Sequence, residues 1–232
     1  MNIAIFTDTF LPKIDGVAIS VDHFCRYLSA RGHKFIICCP KYGPDDIKVL
    51  GDDIEILRFK NAPLPSYPDI KVVLPSQKKI QKAVKGFKAD LIHIQTPGLL
   101  GQYGVMASRM YDVPLVGTYH TLFEEYLHHY VPWLPRRSLR FAARRFSVHQ
   151  CHQLSAVVAP SSAMTTALTA YGVRSPIATI ATGLSLTHFV AQTAGGEFRE
   201  RHGDFETVAA LRDVKGVGEA VLIKNADKIV LE

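Results

Sequence analysis

The 232 residues carry 27 Lys and Arg against 21 Asp and Glu, a formal net charge of +6, and 47% are hydrophobic. That balance fits a globular chain of one large domain or one and a half ordinary ones. It directs attention to an anionic partner: nucleic acid, a phosphorylated substrate or a membrane surface.

No stretch approaches the roughly 20 apolar residues of a membrane span. The amino terminus reads as a strand rather than a secretion signal. Cys25, Cys38, Cys39 and Cys151 show no zinc spacing and read as reduced thiols of a cytoplasmic protein.

The apolar run Asn2 to Phe6 predicts a buried parallel strand. A polar loop, Asp8 to Asp15, follows it, and a helix begins at Gly16 with Val17, Val21, Phe24, Cys25 and Leu28 at helical spacing. The helix ends at Arg31-Gly32-His33. Such a loop lies at the carboxyl end of its strand, the rim where open α/β sheets bind ligands. Gly16 carries no side chain to keep a ligand from the first N–H groups of the helix, a setting that attracts phosphate. Asp15-Gly16 reads equally as a turn with an N-cap.

Strands are expected at Phe35 to Cys39 and Asp53 to Phe59, with a loop over Asn61 to Tyr67. Leu74 to Phe87 is a lysine-bearing helix, Ala89 to Ile94 a strand, and the loop Gln95 to Gly98 opens a helix to Tyr111. Pro114 to Thr118 is a fifth strand. Arg136 to Leu154 is a helix, Ala156 to Ala159 a strand, Ser161 the cap of a helix to Tyr171, and Ile177 to Ile180 a last short strand. This alternation means an α/β, Rossmann-like, doubly wound parallel sheet with right-handed crossovers. Residues 1–182 form the domain, and residues 183–232 form a linker or carboxyl-terminal extension too short for a second α/β domain.

The chain has no GxGxxG after its first strand, no GxxxxGK[ST] and no GxSxG, which argues against a dinucleotide oxidoreductase, a P-loop protein and an α/β-hydrolase. His128, His129, His149 and His152 fit no metal-ligand spacing, so no metal is expected. His120 stands two residues past the fifth strand, on the rim that also carries Asp8 to Gly16 and Gln95 to Gly98. Three strand-end loops thus converge on one crevice.

FTDTFLPKIDGVAISV, HIQTPGLLG, GTYHTLFEEYLHHYVP, the helix through RRFSVHQC, VVAPSSAM and TGLSLTHF occur in this order. Together they resemble the amino-terminal half of a retaining glycosyltransferase of family four, which has the two-domain GT-B architecture. The resemblance is strongest to the glycolipid branch, the diacylglycerol glucosyltransferases. It implies that Gly16 lies against the diphosphate of a nucleotide-sugar and that His120 contacts the transferred sugar. It implies further that Asp15, Thr96, Tyr119 and Glu124 line the acceptor side, with pairing to a neighbouring Arg the other reading of Glu124. UDP-glucose is the implied donor, a substrate rather than a cofactor, and a lipid or sugar hydroxyl the implied acceptor. The donor half of such enzymes carries two Glu eight positions apart, and this chain has no such pair. The resemblance is expected to stop after about Gly203, leaving the donor domain missing or on another chain.

Arg136, Arg137, Arg140, Arg144 and Arg145 cluster on one helix face, with Trp133 just before it, and Lys78, Lys79 and Lys82 form a second basic surface. A solvated helix face is one reading. The other, joined to the glycolipid resemblance, is peripheral contact with an anionic membrane at the inner face of the plasma membrane. Nucleic acid is not expected, since neither a stacking platform nor a helical reader is evident. A non-catalytic acceptor- or membrane-binding module is the alternative to an enzyme half.

Overall fold

Alternating strand and helix leads the chain outward from its own first strand in both directions. The computed structural model describes residues 1–43, 46, 49–64, 67–74, 76–122, 124 and 135–182. Among them, β1 (Asn2–Phe6), β2 (Lys34–Pro40), β3 (Val49–Gly51), β4 (Ile54–Phe59), β7 (Leu91–Ile94), β8 (Leu115–Thr118), β9 (Ala156–Ala159) and β10 (Ile177–Thr179) form one sheet in the order β10-β9-β8-β7-β1-β2-β4-β3. All pairings are parallel except β3 with β4. The expected extension over residues 183–232 lies outside the described residues.

Two strand expectations needed correction. Asn61 to Tyr67 is not a loop: β5 (Asn61–Leu64) and β6 (Tyr67–Val73) form a separate antiparallel pair. Pro63, one of the two prolines that argued for a loop, sits in this two-stranded ribbon, where an edge tolerates a missing N–H, and Pro65 lies outside the described residues. The three-residue β3 pairs antiparallel with β4 at the sheet edge and is too short to leave a periodic signal.

Helices cover both faces, as the continuous burial of β1, β2 and β7 demands. Ile3 and Ile5 of β1 pack with Val21 and Cys25 of α1 (Gly16–Ser29), while Ala4 and Phe6 face the opposite core with Leu100 and Val105 of α3 (Leu99–Tyr111). The second face also takes Ala83 and Val84 from a π-helical turn, Lys82–Gly86, that continues α2 (Gln77–Gln81). A third cluster joins Tyr119, Cys151 of α4 (Arg136–Cys151) and Leu168 of α5 (Ser162–Ala170). Ser161 caps α5 as expected, its hydroxyl accepting from the Met164 N–H at 3.2 Å.

β1 and β7 are neighbours from which the chain departs to opposite faces, α1 after one and α3 after the other. Their carboxyl ends therefore form the topological switch point, where loops diverge and leave a crevice. No helix of the described residues is long and apolar enough to cross a membrane. All four cysteines are free and buried. Burial pushes the Cys39 thiol up to about 12 and Cys151 to about 11, which makes them core residues rather than nucleophiles.

Candidate functional site

A cavity of about 480 Å³ opens at the switch point. Asp8, Val17, Gln95, Thr96 and His120 line it, and Ser147 and Gln150 of α4 close one side. The three loops expected to converge do so. Gly16 itself is not among the lining residues, but its neighbour Val17 is.

The loop after β1 is fixed by short polar links. Asp15 caps α1: Oδ1 accepts from the Ala18 N–H at 2.9 Å and Oδ2 accepts from the Thr9 hydroxyl. The Ile19 N–H reaches the Asp15 carbonyl at 3.0 Å. Of the four N–H groups a helix start leaves over, those of Gly16 and Val17 have no acceptor among the described residues. A Cβ built on Gly16 would meet nothing within 4 Å. This start is open.

The start of α3 is closed. The carboxylate of Asp8 reaches across from the β1 loop, accepting from the Thr96 hydroxyl at 2.5 Å and the Leu100 N–H at 2.9 Å. The Asp8 N–H donates back to Thr96 Oγ1 at 2.8 Å. Gly98 is required by this approach, since a Cβ there would come within 2.4 Å of Asp8 Oδ2. Burial raises the Asp8 pKa above its ordinary value, against hydrogen bonds from Thr96, Leu100, Gly101 and Gly98 that favour the charge.

His120 stands over the end of β8, its Nε2 bonded to Gln95 Oε1 at 2.8 Å. Burial pushes its pKa down to about 4, with Asp15 pulling the other way. At neutral pH the ring is uncharged, able to exchange a hydrogen bond with a hydroxyl but unable to pair with a diphosphate charge. One rung below, His93 bonds Thr118 Oγ1 at 2.8 Å and packs edge-on to Phe24, ring centroids 5.4 Å apart. Burial, then the neighbouring His120, pushes its pKa to about 4 as well.

The remaining expected site residues have varied surroundings. Thr96 lines the cavity but is spent on the link to Asp8. Tyr119 also lines it. Its hydroxyl donates to Ser147 Oγ at 2.5 Å, because Ser147 gives its own proton to the Ala143 carbonyl at 2.8 Å, and the pair pins α4 to the sheet. Glu124 is not a lining residue. It holds Arg144 Nε at 2.5 Å. Burial would raise its carboxyl, but Arg144 and the Tyr171 hydroxyl outweigh that and hold it below the usual range.

Arg136, Arg137, Arg140 and Arg145 are exposed on α4, with Leu139 and Ala143 buried beneath. Phe146 is 42% exposed and Phe141 68%, so this helix shows aromatic as well as basic surface. Lys78 is exposed, whereas Lys79 donates to the Arg58 carbonyl and Lys82 pairs with Glu55. Trp133, His128 and His129 lie outside the described residues. His149 is exposed, and His152 Nε2 accepts from the Arg174 N–H at 3.1 Å.

Asp8, His93 and Gln95 were not singled out from the sequence as site residues. The signal was present in β7: LIHIQ places His93 and Gln95 on alternate positions of an otherwise apolar strand that ends at the rim.

The chain is 29% identical to an alpha-monoglucosyldiacylglycerol synthase of Streptococcus pneumoniae over 98% of its length and 52% of the relative's. It is 28% identical to a GDP-mannose-dependent alpha-mannosyltransferase of Mycobacterium tuberculosis over 75% of its length and 45% of that protein. The chain thus spans about half the length of the curated relatives it matches. The streptococcal match runs past Gly203, where the sequence suggested that resemblance stops. Among solved structures, Anabaena HepE in complex with UDP-glucose superposes with a TM-score of 0.58 at 20% identity, over 88% of this chain and 50% of that one. Sucrose-phosphate synthase of Thermosynechococcus elongatus does so with 0.59 at 18% identity, over 85% and 52%. These two likenesses show the fold, that of one half of a GT-B glycosyltransferase. The family model described as Glycosyltransferase Family 4 matches residues 14–188, most of the described chain, and the protein belongs to that family.

Proposed function

We propose that residues 1–182 are the acceptor-side half of a retaining hexosyltransferase that moves glucose from UDP-glucose to the hydroxyl of a lipid such as diacylglycerol. The observation that carries this reading is one cavity shared by an open helix start and an uncharged imidazole. The N–H groups of Gly16 and Val17 favour the negative charge of a leaving diphosphate. His120 offers a neutral hydrogen-bonding group to a sugar hydroxyl. Supporting it are the glucosyldiacylglycerol synthesis for which the streptococcal relative is named and the UDP-glucose complex of the Anabaena neighbour. The nucleotide-holding half would come from residues outside 1–182 or from another chain.

The same reading places the protein peripherally on the cytoplasmic side of an anionic membrane. Arg136, Arg137 and Arg140 are exposed on α4 with Phe141, and Lys78 is exposed on α2. Each basic residue near anionic lipid adds about 1 kcal/mol. Sedimentation with anionic and neutral vesicles tests this, and equal binding to both would dismiss it.

The activity test is hexose transfer to diacylglycerol by the purified chain, supplied with the carboxyl-terminal half of the streptococcal relative. His120→Ala is expected to lower transfer by about 100-fold, the scale of a lost transition-state hydrogen bond. Transfer indifferent to that change would overturn the site. Binding of lipid without transfer would favour the non-catalytic module instead.

A further inference from the structure

Two side-chain rungs join β7 to β8 on the α1 face of the sheet. The strands are parallel, with His93 opposite Val116 and Ile94 opposite Gly117. Side chains two apart share a face, so His93 reaches Thr118 and Gln95 reaches His120, each bond 2.8 Å long and spanning 25 positions. The outer rung ends at the cavity. Gln95 is 4% exposed, and its N–H is held by the Phe6 carbonyl at 2.9 Å, so its amide is anchored at the switch point itself.

An amide oxygen only accepts. With Gln95 Oε1 on Nε2, a neutral His120 carries its proton on Nε2 and leaves a lone pair on Nδ1. Among the described residues Nδ1 has no hydrogen-bond partner, and it is not sealed from solvent. It is therefore accessible.

We infer that Gln95 is a positioning residue that locks His120 in the Nε2–H form, so that Nδ1 accepts a hydrogen bond from an uncharged ligand hydroxyl. The inference rests on the proposed function only in placing that hydroxyl on a sugar or glycerol. A deprotonated phosphate oxygen is excluded as the hydrogen-bond partner, because two lone pairs would face each other. The charged and titratable groups around the ring agree with a neutral imidazole. Burial opposes protonation of His120 and outweighs Asp15 from the start of α1, which favours it, and His93 from β7 lies one rung below. Asp8 from the β1 loop lines the same cavity, and α4 contributes the uncharged Ser147 and Gln150.

Long-range 1H–15N spectra of the full chain, labelled in its imidazoles, read which ring nitrogen bears the proton. His120 is assigned by the signals lost in His120→Asn. At pH 7 the wild type should show His120 as a single Nε2–H tautomer. Gln95→Leu should convert it to a mixture. Gln95→Glu should keep Nε2–H and raise the protonation midpoint. Glycerol at high concentration should move the Nδ1 resonance.

A proton on Nδ1 in the wild type, or an unchanged tautomer in Gln95→Leu, overturns the inference. So does an Nδ1 resonance that glycerol leaves in place. Should either Gln95 variant fail to fold, the wild-type spectrum still decides. The outcome is separable from the activity test: Nε2–H without transfer sinks the proposed function alone, and His120-dependent transfer with Nδ1–H sinks this inference alone.

Discussion

Two helix starts on the same rim look alike in the sequence and behave differently in the fold. Each follows a buried strand and a short polar loop, and each has a glycine at its edge. At α1 the glycine faces open space, and two N–H groups are left without an acceptor among the described residues. At α3 the glycine is there to admit Asp8, whose carboxylate already occupies the place an anion would take. A strand–loop–glycine–helix pattern is therefore a phosphate site only where no resident carboxylate fills it. One negative group, reaching over from the neighbouring strand's loop, decides which start is open to a ligand.

The sharpest way to break this contrast is to remove the plug. Asp8→Ala leaves the N–H groups at the α3 start without their acceptor in a dry site, and urea unfolding should show a loss of about 4 kcal/mol. Asp8→Asn, which keeps one acceptor oxygen, should lose less.

The next effect comes from acid. His93 is 5% exposed, and its pKa is about 4 when folded, against 6.5 for the ordinary ring. The unfolded chain takes up the proton first as pH falls, so this contribution is intact above pH 6.5 and is lost on the way down to pH 4. The loss should reach about 3 kcal/mol. Urea midpoints measured across that range should fall in the wild type and fall less in His93→Leu.

Smaller still is Gly98→Ala, which pushes a methyl against Asp8. It should cost about 2 kcal/mol in the same measurement. Gly16→Ala closes the series. Its methyl meets nothing in the protein, so stability should change by no more than about 0.5 kcal/mol. Anion binding at α1 should weaken all the same, because the methyl stands where the ligand approaches.

Much of the sheet was legible because β1, β2, β7, β8 and β9 are short apolar runs between turn signals. Their alternation with amphipathic helices admits few topologies. The ribbon of β5 and β6 was not legible, since its prolines mask the period and its pairing is antiparallel. His120 was found because it follows a strand at the binding rim. Its partner Gln95 was not, because a strand pattern does not reveal a diagonal bond between neighbours 25 positions apart. Glu124 shows the converse: a residue assigned by resemblance to the acceptor side is bonded to Arg144. Distinguishing an acidic lining residue from an ion-paired one requires the position of Arg144 on α4.

The most direct test of the open and closed starts is an amide 1H–15N titration of the chain with pyrophosphate, followed residue by residue. Resonances of Gly16 and Val17 should move together while those of Gly98 and Leu100 stay in place. Movement at Gly98 and Leu100, or at neither pair, would contradict the assignment of the diphosphate to α1.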